Sequence, residues 1–83
     1  MTVTAVASTT LTTVAYDQRT EILRLEFRSG AVYDYCGVPW QIHNALLAAS
    51  SKGAYFNRNI RGRFPYRKLE PADHDRDVSV RMR

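Results

Sequence analysis

The chain has 83 residues, one cysteine and a formal net charge of +4. That length holds one small core rather than two, and 45% hydrophobic with 24% charged residues is the balance of a folded globular chain, not of a disordered one. A lone Cys36 excludes an internal disulfide framework.

Residues 1–9 are small and Thr/Ala-rich, and either fray or lengthen the first strand. LTTVAY, 11–16, is rich in β-branched residues and is expected to be a strand. ILRLEF, 22–27, alternates apolar and charged residues, the period of a half-buried strand. AVYDY follows at 31–35 after Arg28, Ser29 and Gly30, so the three runs read as an antiparallel meander. Asp17 is expected to stabilise the first turn.

Register decides what Tyr33 and Tyr35 do. A two-residue turn at Ser29-Gly30 would set Leu25 across from Asp34 and leave both tyrosines among Arg24 and Glu26. A three-residue loop, 28–30, instead pairs Leu25 with Tyr33, Leu23 with Tyr35 and Arg24 with Asp34. Hydrophobic pattern selects the second, because a slip of one residue turns every side chain to the wrong face. Gly30 then takes the left-handed position such a loop needs. The same parity sets Val14 and Tyr16 beside Leu25 and Leu23. One face carries Val14, Tyr16, Leu23, Leu25, Phe27, Tyr33 and Tyr35, with the tyrosines in the core, and it requires a cover.

The cover is helical. In GVPWQIHNALLAAS, Pro39 suits the first helical position, and Ile42, Ala45, Leu46 and Ala49 form the buried stripe. Ser50 or Ser51 breaks that helix and caps the next, which runs through AYFNRNI toward Gly62 and is anchored by Phe56 and Ile60. FPYRKL, 64–69, reads as a short strand that Pro65 confines to an edge or a bulge. The expected fold is α+β: a three-stranded meander, two helices packed on one face and a short final edge strand, within a domain spanning 10–70. The mixed-charge tail, 71–83, is expected to be disordered.

No segment carries a legible reaction. Cys36 sits in a strand-like run and is read as a buried, inert thiol. His43, mid-helix, is read as a surface or boundary residue, so a Cys36/His43 nucleophile pair is not expected. One cysteine and two distant histidines cannot supply a metal site, and the scattered glycines form no phosphate loop. Catalytic residues, metal and cofactor are all expected to be absent. Trp40 is read as a packing residue at the helix start, with an exposed anchor as the alternative.

One segment stands out. Residues 50–69 hold six of the twelve Lys and Arg residues, no acid, and four aromatics. In a helix Lys52, Tyr55 and Arg58 share a face, Phe56 and Ile60 point inward, and Tyr55 is left as the exposed ring. Arg61 and Arg63 extend the charge around the helix end, and Arg67 and Lys68 continue it on the last strand. Cations that neutralise phosphates beside a ring that stacks on a base suit RNA; a solvated helix face or an acidic protein partner suits the same pattern. The orientation of Phe64 and Tyr66 is left open.

The ordered motifs resemble a known family. Phe27, Gly30, Tyr33 and Tyr35, then Val38-Pro39, then Leu46-Leu47, Ala49 and Ser51-Lys52-Gly53, then Tyr55-Phe56-Asn57 with Ile60-Arg61, and finally Tyr66 and Leu69, are similar to the KTSC domain. That module occurs at the C-terminus of some lysyl-tRNA synthetases and as a small stand-alone bacterial or phage protein. The resemblance implies an α+β domain with the Tyr33/Tyr35 pair as its signature, no established catalytic residues, and RNA binding by its synthetase context. Some of the family has an aromatic where His43 stands. The leading expectation is therefore a non-catalytic, cytoplasmic, RNA-binding module using Lys52, Tyr55, Arg58, Arg61, Arg63, Arg67 and Lys68. A protein-interaction adaptor using the same face or the edge strand is the alternative. No stretch approaches the ~20 apolar residues that span a bilayer, and the first ten residues do not read as a secretion signal.

Overall fold

The structure, a computed structural model, describes residues 1–69; the tail expected from 71 onward lies outside the described residues. The elements in chain order are β1 (Thr2–Ala5), β2 (Leu11–Asp17), β3 (Ile22–Phe27), β4 (Val32–Tyr35), α1 (Trp40–Ala48), α2 (Lys52–Asn59) and β5 (Tyr66–Leu69). The strands form one antiparallel sheet in sequence order, β1-β2-β3-β4-β5. The α+β class, the meander, the final edge strand and the two helices on one side follow the sequence, but among the described residues they form one sheet of five strands, not a three-stranded one. The small residues before position 6 form a separate strand on β2, and the last strand returns from the helices to extend the same sheet beyond β4.

Register explains which side chains meet. Leu25 pairs with Tyr33, Arg24 with Asp34 and Leu23 with Tyr35, as the three-residue loop requires. Phe27 and Ala31 close that loop with Phe27 N donating to Ala31 O at 2.8 Å, and Gly30 adopts φ +95°. On the other side Val14 pairs with Leu25 and Tyr16 with Leu23, and a bulge between Leu11 and Thr13 shifts the alternation. That extra residue lets Leu11 rather than Thr12 turn inward. Asp17 does stabilise its turn: Oδ1 accepts from Arg19 N at 3.0 Å, which holds its carboxyl below the usual carboxylate range.

Leu11, Val14, Leu23, Leu25, Val38, Leu46 and Ile60 are fully buried. Helix α1 contributes Leu46, and α2 contributes Phe56 and Ile60. Ser51 is the α2 cap, accepting from Ala54 N at 3.3 Å and satisfying one of the orphan donors of the first turn. Gly62, at φ +76°, turns the chain after that helix. Pro39 stands one position earlier than expected, at the N-cap with ψ 154°, its carbonyl accepting from Ile42 N at 3.0 Å.

Three assignments change. Cys36 is exposed: Tyr35 faces the helices, so alternation turns the next side chain outward, while Cys36 N donates to Pro65 O and carries the β4–β5 pairing one residue past β4. His43 is buried rather than at the surface, because α1 is seated with its imidazole stacked on Tyr16 at 4.7 Å and 11° between planes. Trp40 is half exposed, not packed at the helix start.

Candidate functional site

The basic stretch starts on α2, where i, i+3 spacing winds Lys52, Tyr55 and Arg58 across the solvent side. Tyr55 is not the free ring that spacing implied. It is half buried and packs against the core, with Asn59 Nδ2 donating to its carbonyl at 3.2 Å. Lys52 Nζ donates to Ala49 O at 3.0 Å, tying the second helix to the end of the first. Arg63 folds back so that Nε donates to Arg58 O at 2.9 Å, satisfying a carbonyl of the last turn. These cations serve the helix ends as well as the surface.

β5 separates the remaining two. Arg67 pairs with Asp34 and Lys68 with Tyr33, and directly paired residues share a sheet face. Arg67 therefore lies on the face away from the helices, its Nη2 4.0 Å from Asp34 Oδ2. Lys68 lies on the helix-side face with Tyr33, Tyr35 and Tyr66. Of the seven residues singled out in the sequence, Arg61 and Lys68 border the sheet's tyrosines, Lys52, Tyr55 and Arg58 occupy the helix flank, Arg63 caps the helix, and Arg67 faces the other way.

The structure adds a feature the sequence did not show. A cleft of about 370 Å³ opens on the helix side between the end of α2 and the β4–β5 edge, lined by Phe27, Ser29, Ala31, Tyr33, Tyr35, Phe56, Arg61, Gly62 and Tyr66. Five of those residues are aromatic. Tyr35 and Phe56 are buried at its floor, 5.7 Å apart and edge to face. Phe27 meets both Tyr33, at 5.7 Å, and Phe56, at 5.3 Å, edge to face. Tyr33 and Tyr35 lie 6.2 Å apart at 28°, and Tyr66 leans on both at 5.6 and 5.7 Å. Tyr66 itself is 62% exposed.

The cleft has a definite charge character. Burial pushes the Tyr35 phenol up, the neighbouring Tyr33 and Tyr66 phenols push it further, and Arg61 pulls the other way. Tyr35 is thus a neutral hydroxyl at neutral pH, with the Arg61 guanidinium near enough to act on it. Arg61 is exposed and held loosely, Nη1 donating to Asn57 Oδ1 at 3.5 Å. Among the described residues, no acidic side chain lines the cleft. Among the described residues, no group of three or more His, Cys, Asp or Glu side chains gathers as metal ligands, and no helix is long and apolar enough to cross a membrane.

The sequence reading made Tyr33 and Tyr35 largely core and sought the binding ring on the helix. The missing signal was the pairing of β5: Tyr66 opposite Tyr35 puts a third tyrosine on the face that the helices only partly cover.

Comparison with known proteins agrees with this fold. The family model of the KTSC domain matches residues 7–64. The chain is 44% identical over 55 residues to a lysine–tRNA ligase of Nostoc punctiforme, covering 66% of this chain and 10% of the ligase. It therefore corresponds to about a tenth of the ligases it matches. It is also 44% identical over 54 residues to an uncharacterized protein of Stutzerimonas stutzeri, of which the match covers 76%. A crystal structure of a KTSC domain protein from Yersinia pestis superposes with a TM-score of 0.80 at 33% identity, covering 83% of this chain and 97% of that one.

Proposed function

The chain belongs to the KTSC domain family, and from that premise we propose that it is a non-catalytic RNA-binding module of the cytoplasm, requiring no cofactor. The observation that carries the reading is the cleft itself: a solvent-open cleft walled by five aromatic residues, of which Tyr66 is largely exposed, with Arg61 lining it and Lys68 on the same sheet face. Flat rings beside cations serve nucleic acid in two separate ways, since rings stack on bases and cations neutralise phosphates. The acid-free charge of residues 50–69 supports the electrostatic half. The occurrence of a similar stretch within proteins named lysine–tRNA ligases supports the choice of RNA.

The test is affinity of the whole chain for a tRNA pool and a single-stranded RNA pool, followed by fluorescence anisotropy across salt. A few phosphate contacts give a log–log salt slope of about −0.7 per phosphate on single strands. Arg58→Glu with Arg61→Glu abolishes that binding while the far-UV spectrum stays native. Absence of binding at low salt, or affinity indifferent to salt, overturns the reading. The exposed β5 edge favours a second one, a protein-interaction adaptor that pairs a partner's strand with that edge. A pull-down with and without nuclease separates them: complexes that survive nuclease belong to the adaptor.

A further inference from the structure

The cleft's shape narrows what part of an RNA can enter it. Its volume of about 370 Å³ lies at the lower end of small-molecule sites, which run from about 300 to 1,000 Å³. That is room for a single nucleotide and not for a helix. An A-form duplex presents a broad shallow groove and keeps its base faces inside the stack, so it has nothing to insert.

Charge then distinguishes among small groups that rings attract. An aromatic box for a methylated ammonium also uses clustered tyrosines, but here Arg61 lines the cleft and, among the described residues, no carboxylate does, so a cation is repelled. An apolar peptide side chain fills the volume yet leaves Arg61 without a counter-charge. A flat base with its phosphate satisfies both: the base lies against the exposed Tyr66 ring, and the planar guanidinium takes the phosphate in a forked, two-bond contact. Ser29 and the Tyr33 and Tyr66 residues add hydroxyls for the base edge.

We infer that the cleft bounded by Tyr33, Tyr35, Phe56 and Tyr66 receives one unpaired base of single-stranded RNA, with Arg61 binding the adjoining phosphate. This rests on the RNA-binding reading above and specifies its ligand. Tyr66 is the working ring because it alone of the five aromatics is largely exposed; the other four chiefly build the wall behind it.

The experiment uses the whole chain and one labelled RNA of about ten nucleotides, free or annealed to its complement, with single-strand site sizes as the guide. The single strand is expected to bind more tightly than the duplex. Tyr66→Ala lowers single-strand affinity about fivefold to a hundredfold, the range for loss of one base–ring stack, while leaving the salt slope unchanged because the ring carries no charge. Arg61→Ala lowers affinity and reduces the slope by about 0.7, the share of one phosphate. Tyr66→Leu, which keeps apolar bulk and loses the ring face, shows the same direction of loss and guards against a folding defect in the alanine variant. If RNA binds with a salt-dependent affinity but Tyr66→Ala and Tyr66→Leu stay within twofold of the parent, or the duplex binds as tightly as the single strand, the base pocket is wrong and the RNA-binding module stands. If neither RNA form binds at low salt, both are wrong.

Discussion

Removing Arg24 should cost more stability than removing its partner Asp34, although each change breaks the same ion pair. Arg24 grips Asp34 with two bonds, Nε to Oδ1 at 2.7 Å and Nη2 to Oδ2 at 3.0 Å. The two ends of the pair live in different surroundings: the Asp34 side chain is 5% exposed and the Arg24 side chain 43%. Truncating Asp34 releases a guanidinium that water readily takes back, so the loss is that of charged hydrogen bonds at a half-open site, about 1–2 kcal/mol. Replacing Arg24 strands a buried carboxylate beside the exposed Arg67, whose Nη2 is 4.0 Å away. Breaking a fully buried pair costs about 3–5 kcal/mol, and the open side of this one reduces that to about 2–3 kcal/mol. Arg24→Met is the cleaner variant because it keeps an apolar stem over the sheet. Urea unfolding of Arg24→Met, Asp34→Ala and the double variant should give the larger loss for the arginine change, with the double variant less damaged than the sum by about 1–2 kcal/mol. An Asp34→Ala loss equal to or above that of Arg24→Met, or strict additivity, refutes the reasoning.

Cys36 should react stoichiometrically with a thiol reagent in the native protein within minutes, since it is exposed; a reaction that needs denaturant contradicts the placement. Gly53→Ala should lower the melting temperature despite the better helix former. Its Cβ would stand 2.4 Å from Thr10 Oγ1 and 3.2 Å from Thr10 Cβ, and Thr10 is pinned by Ser8 Oγ at its N–H and by Arg28 N–H at its carbonyl. Crowding of about 1–3 kcal/mol then outweighs a helix gain of at most about 1 kcal/mol, Thr10→Ala recovers part of the loss, and a stabilised Gly53→Ala refutes the contact. His43 is buried with Nε2 unpartnered, and burial holds its imidazole below the ordinary value. The unfolded chain therefore binds the proton first, so this contribution is intact above about pH 6.5 and lost as pH falls through the unfolded value, with a limiting slope of about 1.4 kcal/mol per pH unit. His43→Phe should flatten that limb in pH-dependent urea midpoints, and an unchanged slope refutes the assignment. Arg67→Ala should leave single-stranded RNA affinity within about twofold while Arg61→Ala does not, because Arg67 lies on the far face of the sheet.

The central strands were legible because alternation leaves only one register that keeps Asp34 off the apolar face. Leu23, Leu25, Tyr33 and Tyr35 then line up, and the observed pairs follow. The helix anchors Leu46, Phe56 and Ile60 were legible for the same reason, with 3.6 in place of 2 as the period. What stayed hidden depends on contacts between elements. His43 is buried because Tyr16, 27 positions earlier, offers a ring to stack on, and nothing local announces that. Cys36 follows Tyr35 onto the outer side, held there by its N–H bond to Pro65 O, a partner on the far side of both helices in sequence. Thr2–Ala5 form a strand only because β2 has a free edge to receive them.

The cleft belongs to this second kind. The inward-facing side chains of α2 and its C-cap end at Ile60, and the next residues, Arg61, Gly62 and Arg63, are charged or lack a side chain. The sheet's inner face continues past that point, because β5 sets Tyr66 beside Tyr35. Phe56 therefore covers Tyr35 and leaves Tyr66 in solvent. That exposed ring, with the Arg61 guanidinium lining the same cleft, is the surface on which the proposed base would stack. The sequence points to Tyr55 because helical spacing is on its side, whereas the structure leaves Tyr66 as the exposed ring of the cleft. Tyr66 has only its pairing partner, and that partner is fixed once the last strand has chosen β4.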